Sequence, residues 1–403
     1  MLGLCLLAFL VPVAAVPADA AERPDLSARA AILVDARNGH VLYRRDPTQE
    51  RPIASATKLM TALVALDELP LGREVRAVPY DPAPAESRID LRTGERMSVA
   101  DLLRALLLES ANDAAETLAV RAAGSVDRFV RRMNERAQEM GFTHTRFANP
   151  VGLDSPGAHS TALDLSRVAR QVLRNDFLAA TVDMPRARLL SGARPRILAN
   201  RNRLVREVGW VDGVKTGHTA GAGYVLVGST SRRGARLVSI VLGAPTEAAR
   251  DADTLKLLRY GVAQYRRARP VRAGATLSTA SVEYFGGREV RLVPVRPVSV
   301  TVRRGQRLRT VVRAPEQVTG PLPAGARVGS VTVYREGRRV RSVPVATAAS
   351  VPEAGFLRKA WSLVWSPIPV LAALGIAIWL ILRRRRRTLA ARRRPAHAHE
   401  RAG

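Results

Sequence analysis

Near Pro270 the hydrophobic rhythm of this chain changes, and the change divides it into two domains of different class. Up to about Tyr265, strand-like runs alternate with long helical patterns. Beyond Pro270, Val298-Ser299-Val300-Thr301-Val302, Val328 to Val333 and Val340 to Val345 are short β-prone runs separated by Gly and Pro, with no helical period. The expectation is a mixed helix-and-strand domain over residues 21–265, followed by a small all-β domain over residues 266–350. The second domain is strongly basic, with seventeen arginines against four glutamates.

The two ends predict where the chain works. Leu2 to Val16 is apolar and is followed by Ala18-Asp19-Ala20, a small-x-small pattern, so residues 1–20 read as a secretory signal. A second apolar stretch, residues 363–382, has the roughly 20 residues needed to cross a bilayer core as a helix. Trp361, Trp365 and Trp379 fall near its ends, and Arg383 to Arg387 follow at once. This predicts a linker over residues 351–362, one transmembrane helix over residues 363–382 and a disordered cytoplasmic tail over residues 383–403. Everything between Ala21 and Arg358 then lies outside the cytoplasm, on the periplasmic or extracellular side of the cytoplasmic membrane.

Export decides what the basicity means. A formal charge of +29 and a pI near 11.6 would raise nucleic acid as a partner in a cytosolic protein. In an exported one, attraction to anionic lipid or cell-wall polymer is the better account, and no nucleic acid is expected. The sole cysteine, Cys5, falls within the predicted signal, which excludes disulfides and thiol chemistry from the mature chain.

Lysine usage then points to chemistry. The chain has four lysines against sixty arginines, and two of the four lie in Ser55-Ala56-Thr57-Lys58 and Lys215-Thr216-Gly217. Lysine can lose its proton when desolvated, whereas arginine stays charged. Ala31 to Asp35 and Val41 to Tyr43 flank Asn38-Gly39, a strong hairpin signal. After Pro52 the pattern becomes helical, with Leu59, Met60, Leu63, Val64 and Leu66 on a broad apolar face. Ser55 stands at the start of that helix and Lys58 one turn on, so hydroxyl and amine face the same way. Burial there lowers the lysine pKa, and a neutral lysine beside a serine is a base beside a nucleophile.

A second helical stretch begins at Ser98, with Asp101 placed as in a capping box. It breaks at Glu109-Ser110-Ala111-Asn112-Asp113, a polar turn from which Ser110 and Asn112 can point into a cleft. Trp210 to Val214 reads as a strand leading into Lys215-Thr216-Gly217-His218, with Tyr224 to Val227 and Leu237 to Val241 as the next two. Gly217 would permit close approach of a ligand. His40, His144 and His159 show no metal-ligand spacing, and neither metal nor organic cofactor is expected.

Ser-x-x-Lys, Ser-x-Asn and Lys-Thr-Gly in this order are far more specific together than singly, and related sets mark β-lactamases and penicillin-binding proteins. The chain resembles the low-molecular-mass penicillin-binding proteins that are D-alanyl-D-alanine carboxypeptidases. The likeness extends through Ser110 to Ala115, Phe147 to Asp154, Val211 to Thr219, Ala220 to Tyr224, and Val241 to Ala244 with Arg250 after it. It implies an α/β catalytic domain of the penicillin-binding protein/β-lactamase type, with an antiparallel sheet plus a helical cluster, ahead of the β-rich domain. It implies peptidoglycan pentapeptide stems as substrate and β-lactam antibiotics as acylating ligands.

By the same resemblance, Ser55 attacks the carbonyl between two terminal D-alanines and Lys58 takes its proton. Ser110 relays a proton to the leaving amine near Lys215, and Asn112 holds the peptide amide. Backbone N–H groups of Ser55 and His218 form the oxyanion hole, while Thr216 and Arg250 bind the free carboxylate. A class A β-lactamase would need a glutamate before Lys-Thr-Gly to activate water, and no Glu-x-x-Leu-Asn segment stands between Asn112 and Lys215. A D,D-endopeptidase would use the same residues but usually lacks the β-rich extension. A non-enzymatic sensor or scaffold predicts damaged motifs, whereas all three are intact.

Overall fold

The computed structural model describes residues 22–83, 86–364 and 367–391. The predicted signal, residues 1–20, lies outside them, as does the tail beyond residue 391. Two compact units result, one ending at Arg267 and including Thr301–Gly305, the other built from Ala268–Val300 and the chain from Gln306 onward.

The first unit opens with β1 (Ala30–Asp35) and β2 (Val41–Arg45), joined through Asn38-Gly39 with Gly39 at φ 75°. A 3-10 turn, Ala54–Thr57, runs straight into α1 (Lys58–Glu68). The short pair β3 (Glu74–Arg76) and β4 (Arg96–Ser98) precedes α2 (Val99–Arg104), where Ser98 Oγ accepts the Asp101 N–H at 3.2 Å as the sequence predicts. A π-helical turn, Ala105–Glu109, separates α2 from α3 (Asn112–Ala123). Then come α4 (Val126–Glu139), α5 (Ala162–Val172), α6 (Asp176–Val182), the hairpin β5 (Arg186–Leu189) and β6 (Arg196–Ala199), and α7 (Arg203–Glu207). Three long strands, β7 (Gly213–Thr219), β8 (Gly223–Thr230) and β9 (Leu237–Ala244), lead into α8 (Glu247–Ala263).

The main sheet is antiparallel in the order β2-β1-β9-β8-β7. Its strands alternate between two cores, as the two-residue period of a strand requires. Ile32, Val34, Val225, Val227, Val238 and Ile240 face the helical cluster that contains α1, α3 and α5. Ala31, Leu33, Leu226, Leu237 and Val241 face Leu257, Leu258 and Val262 of α8. Both faces are therefore covered, and α1 is buried on all sides from Lys58 to Ala65 rather than on one face. The strand carrying Lys215 begins at Gly213, not at Trp210: its register with β8 runs from Gly213↔Ser229 to Thr219↔Gly223, so the motif lies inside the edge strand instead of after it.

From Tyr265 the chain is β-rich: β10 (Tyr265–Val271) is followed by β11 (Ser278–Val282), β12 (Glu289–Pro294), β13 (Val298–Arg303) and β14 (Leu308–Arg313). The short β15 (Gln317–Val318) and the long β16 (Arg327–Arg335) and β17 (Arg338–Thr347) complete its strands. Six of them form one sheet in the order β14-β16-β17-β12-β11-β15 around buried Leu292, Val331, Val333, Val343 and Val345.

Two terminal helices follow, α9 (Phe356–Val364) and α10 (Pro367–Ala391). Among the described residues no helix is long and apolar enough to cross a membrane, which departs from the predicted span over residues 363–382. The apolar part of α10, from Pro367 to Leu382, rises roughly 24 Å at 1.5 Å per residue, short of a hydrocarbon core of about 30 Å. Residues 365 and 366 of that span lie outside the described residues. Residues 383–391, expected to be disordered, continue α10, in keeping with the good helix propensity of Arg, Leu and Ala.

Candidate active site

Ser55 occupies the 3-10 turn at the head of α1, and Lys58 is the first residue of the helix proper. Lys58 Nζ lies 3.1 Å from Ser55 Oγ and donates to the Val151 carbonyl oxygen at 2.5 Å. The side chain is 0% exposed. Burial, and then the charge of Lys215, push its pKa well below that of an ordinary lysine; Arg201 acts in the same sense and Glu86 against it. A neutral amine can give one N–H to Val151 and turn its lone pair to the serine hydroxyl.

The Val151 carbonyl is presented by a self-bonded loop. Asn149 Oδ1 accepts the N–H groups of Val151, Gly152 and Leu153 at 3.2, 2.6 and 3.2 Å. Gly152 takes φ 85°, and a Cβ there would strike the Ala54 carbonyl, so only glycine lets the loop close on the nucleophile turn. Asp154 ties the same loop to the end of β7, accepting Thr219 Oγ1 at 2.7 Å and the Gly221 N–H at 2.9 Å.

Ser110 ends the π-helical turn in a left-handed conformation, φ 64° and ψ 28°. Its Oγ is buried and has no hydrogen-bond partner among the described residues. A left-handed serine beside a π-turn is uncommon backbone of the kind that clusters at functional sites. Asn112 starts α3, buried, and its Nδ2 donates to Glu86 Oε2 at 2.7 Å.

On β7, Lys215 is 1% exposed and its Nζ donates to the Thr216 carbonyl at 2.9 Å. Burial, followed by the charges of Arg201 and Arg250, lowers it to about 7, with Glu109 opposing. Gly217 has a second use besides the expected one. A Cβ there would lie 3.0 Å from the Ser55 nitrogen and 3.1 Å from Ala54 Cβ, so the missing side chain also makes room for the turn that carries Ser55. The absent side chain lets the free edge of β7 meet the Ser55 amide. Thr216 is buried, and His218 is exposed with its ring 4.1 Å from that of Tyr224.

Arg250, in α8, is 3% exposed. Its Nε and Nη2 donate to Asp251 at 2.9 and 2.8 Å, and Nη2 also to Glu247 at 2.8 Å. One edge of the guanidinium is therefore already taken by carboxylates. Its charge still reaches Lys215.

The fold thus gathers Ser55 and Lys58 into direct contact, sets Gly217 against the nucleophile turn, and brings Lys215 within electrostatic reach of Lys58. Sequence reading missed the Val151 carbonyl, the Asn149 cage, Glu86, and the Arg201–Glu109 pair at 2.9 Å. Asn149 and Val151 stand in the Phe147 to Asp154 segment that the resemblance includes, but the Lys58, Asn112 and Arg201–Glu109 contacts carry no local signal, because each joins residues 26 or more apart in the chain. Such a constellation suits acyl transfer to a serine, with an amine in place of the more usual imidazole.

Comparison with known proteins agrees. A family described as D-alanyl-D-alanine carboxypeptidase matches residues 17–246, and the penicillin-binding protein 5 C-terminal domain matches residues 265–353. The chain is 33% identical to D-alanyl-D-alanine carboxypeptidase DacC of Escherichia coli, over 90% of its own length and 94% of the relative's. It is 29% identical to D-alanyl-D-alanine carboxypeptidase DacF of Bacillus subtilis, over 89% and 94%. Penicillin-binding protein 5 from Haemophilus influenzae superposes with a TM-score of 0.57 at 28% identity, covering 83% of this chain and 100% of the other. The chain belongs to the D-alanyl-D-alanine carboxypeptidase family, within the low-molecular-mass penicillin-binding proteins, and is a serine-type carboxypeptidase.

Proposed function

We propose that this carboxypeptidase removes the terminal D-alanine from peptidoglycan pentapeptide stems through an acyl-enzyme on Ser55. The observation that carries the reading is the buried Lys58 amine 3.1 Å from Ser55 Oγ, held below ordinary lysine basicity. Lys58 Nζ takes the hydroxyl proton as Oγ bonds to the carbonyl carbon between the two D-alanines. The oxyanion forms against the backbone N–H groups of Ser55 and His218, and each such donor is worth roughly 3 to 4 kcal/mol when aimed at developing charge. The C–N bond then breaks as the proton held on Lys58 passes through Ser110 Oγ, beside Lys215, to the departing amine, leaving Lys58 neutral again. Water attacks the ester, Lys58 accepts its proton, and Ser55 Oγ regains a hydrogen as the shortened stem leaves. Asn112 holds the peptide amide, while Thr216 and the remaining edge of Arg250 meet the substrate carboxylate. β-Lactams acylate the same oxygen.

The predicted export signal and the arginine block after Leu382 support a location at the outer face of the cytoplasmic membrane, with the C-terminal helix as anchor. Leu371, Leu374, Ile376, Ile378 and Trp379 of α10 are all more than half exposed, and an apolar helix of that kind favours lipid. The test of topology is protease added outside intact spheroplasts: it should digest the catalytic unit, and a tag at Gly403 that is spared would mean that the chain from residue 363 crosses the bilayer. Loss of the tag would place the helix on the surface instead of across the bilayer.

Activity is tested by comparing a D-Ala-D-Ala pentapeptide, a cross-linked muropeptide and a penicillin. Release of free D-alanine from the first, with little cutting of the second, is expected. Preferential cutting of the cross-link would make the protein an endopeptidase, and penicillin binding without hydrolysis of either would make it a sensor.

A further inference from the structure

We propose that Glu86 is a positioning residue for Asn112, its carboxylate fixing the Asn112 carboxamide in the orientation needed for acylation of Ser55; this rests on the reading of Asn112 given above. Asn112 Nδ2 donates to Glu86 Oε2 at 2.7 Å, the Tyr80 hydroxyl donates to the same oxygen, and Oε1 accepts the Ala83 N–H at 3.1 Å. The residues after Glu86 are zipped onto the start of α3. The Asn112 N–H donates to the Ser87 carbonyl at 2.7 Å, and the Asp113 carboxylate accepts the N–H groups of Ile89 and Leu91 at 3.2 and 2.9 Å. Glu86 therefore sits on a strip of backbone registered on Asn112 and on Asp113, the residue that follows the Ser-x-Asn segment.

The chemistry follows from the inventory of a carboxamide. One Nδ2 hydrogen goes to an anion, which makes a strong and directional bond. The Tyr80 oxygen also takes a hydrogen bond from the Asn112 side chain, so Oδ1 is the atom left for a ligand, and the group cannot turn over without setting Oδ1 against the carboxylate. Burial pushes the Glu86 carboxyl up, but the Tyr80 and Asn112 hydrogen bonds outweigh it and hold Glu86 ionised at neutral pH. Its charge also faces Lys58, opposing Lys215 from β7 and Arg201 beyond β6. Orientation and charge are thus separable by substitution.

Two near-isosteric variants of the full chain divide them, read by the rate of Ser55 acylation with a fluorescent penicillin across pH. Glu86→Gln keeps an acceptor for Asn112 but loses the charge. It should retain most of the rate at its optimum, while the acid limb of the profile moves to lower pH because protonated Lys58 has lost a counter-charge. Glu86→Asp keeps the charge but withdraws the carboxylate from Asn112. It should slow acylation by about tenfold to a hundredfold, the cost of a catalytic group misplaced by about an ångström, with the acid limb left in place. Parental rates in Glu86→Asp, or an unmoved acid limb in Glu86→Gln, would overturn the inference alone. Acylation of the parent protein at a residue other than Ser55 would overturn the reading of the site and the inference with it.

Discussion

The head of α1 and the edge strand β7 each bury a lysine almost completely, yet the two amines are set up differently. Lys58 rests on the Ser55 hydroxyl and a loop carbonyl, and faces Lys215. Lys215 rests on the carbonyl of its neighbour Thr216, and faces Arg201 and Arg250. Burial leads in both, but of the two only Lys58 is hydrogen-bonded to a hydroxyl among the described residues. Equal burial therefore leaves one amine on a serine hydroxyl, held well below ordinary lysine basicity, and the other on a backbone carbonyl, lowered to about 7. What separates them is the neighbour each is given by the fold.

The largest expected effect breaks the base at the first site alone. Lys58→Arg should keep a folded chain but slow penicillin acylation by about a hundredfold to ten-thousandfold, the range of a positioned general base, since guanidinium does not deprotonate. Near-parental acylation would show that only charge matters there. Smaller is Arg250→Ala, which should cost about tenfold to a hundredfold on a peptide ending in a free carboxylate, and far less on the matching C-terminal amide. Equal losses on both would remove Arg250 from the carboxylate site.

Lys215→Met tests the coupling between the two lysines. The positive charge of Lys215 disfavours protonated Lys58, so its removal should raise the Lys58 pKa and move the acid limb of acylation to higher pH, opposite in sign to Glu86→Gln. An unmoved limb would mean that the two amines do not sense each other. The smallest effect is expected from a chain ended after Val351, which should stay in solution without detergent and bind penicillin at the parental rate, because every motif residue precedes the β-rich unit.

Much of this comparison was legible before any coordinates. Ser55 and Lys58 are three residues apart on one helix start, the Asn38-Gly39 hairpin is local, and the Ser98 cap is contained in four residues. Periods of two and of 3.6 separated the β-rich unit from the rest. The supporting groups were not legible, because their partners are distant in sequence: Val151 reaches Lys58 across 93 residues and Glu86 reaches Asn112 across 26. The left-handed backbone at Ser110 has no glycine or asparagine to announce it. What meets Gly217 depends on which element lies against β7, and the occupied edge of Arg250 on two acidic neighbours whose rotamers no pattern specifies.

Whether the first lysine site holds the nucleophile can be read in one step by mass spectrometry of the protein after brief exposure to labelled penicillin. The adduct should map to Ser55 in the parent, appear there far more slowly in Lys58→Arg, and be absent in Ser55→Ala. An adduct on Ser110, or undiminished labelling of Ser55→Ala, would contradict the assignment of base and nucleophile to the head of α1.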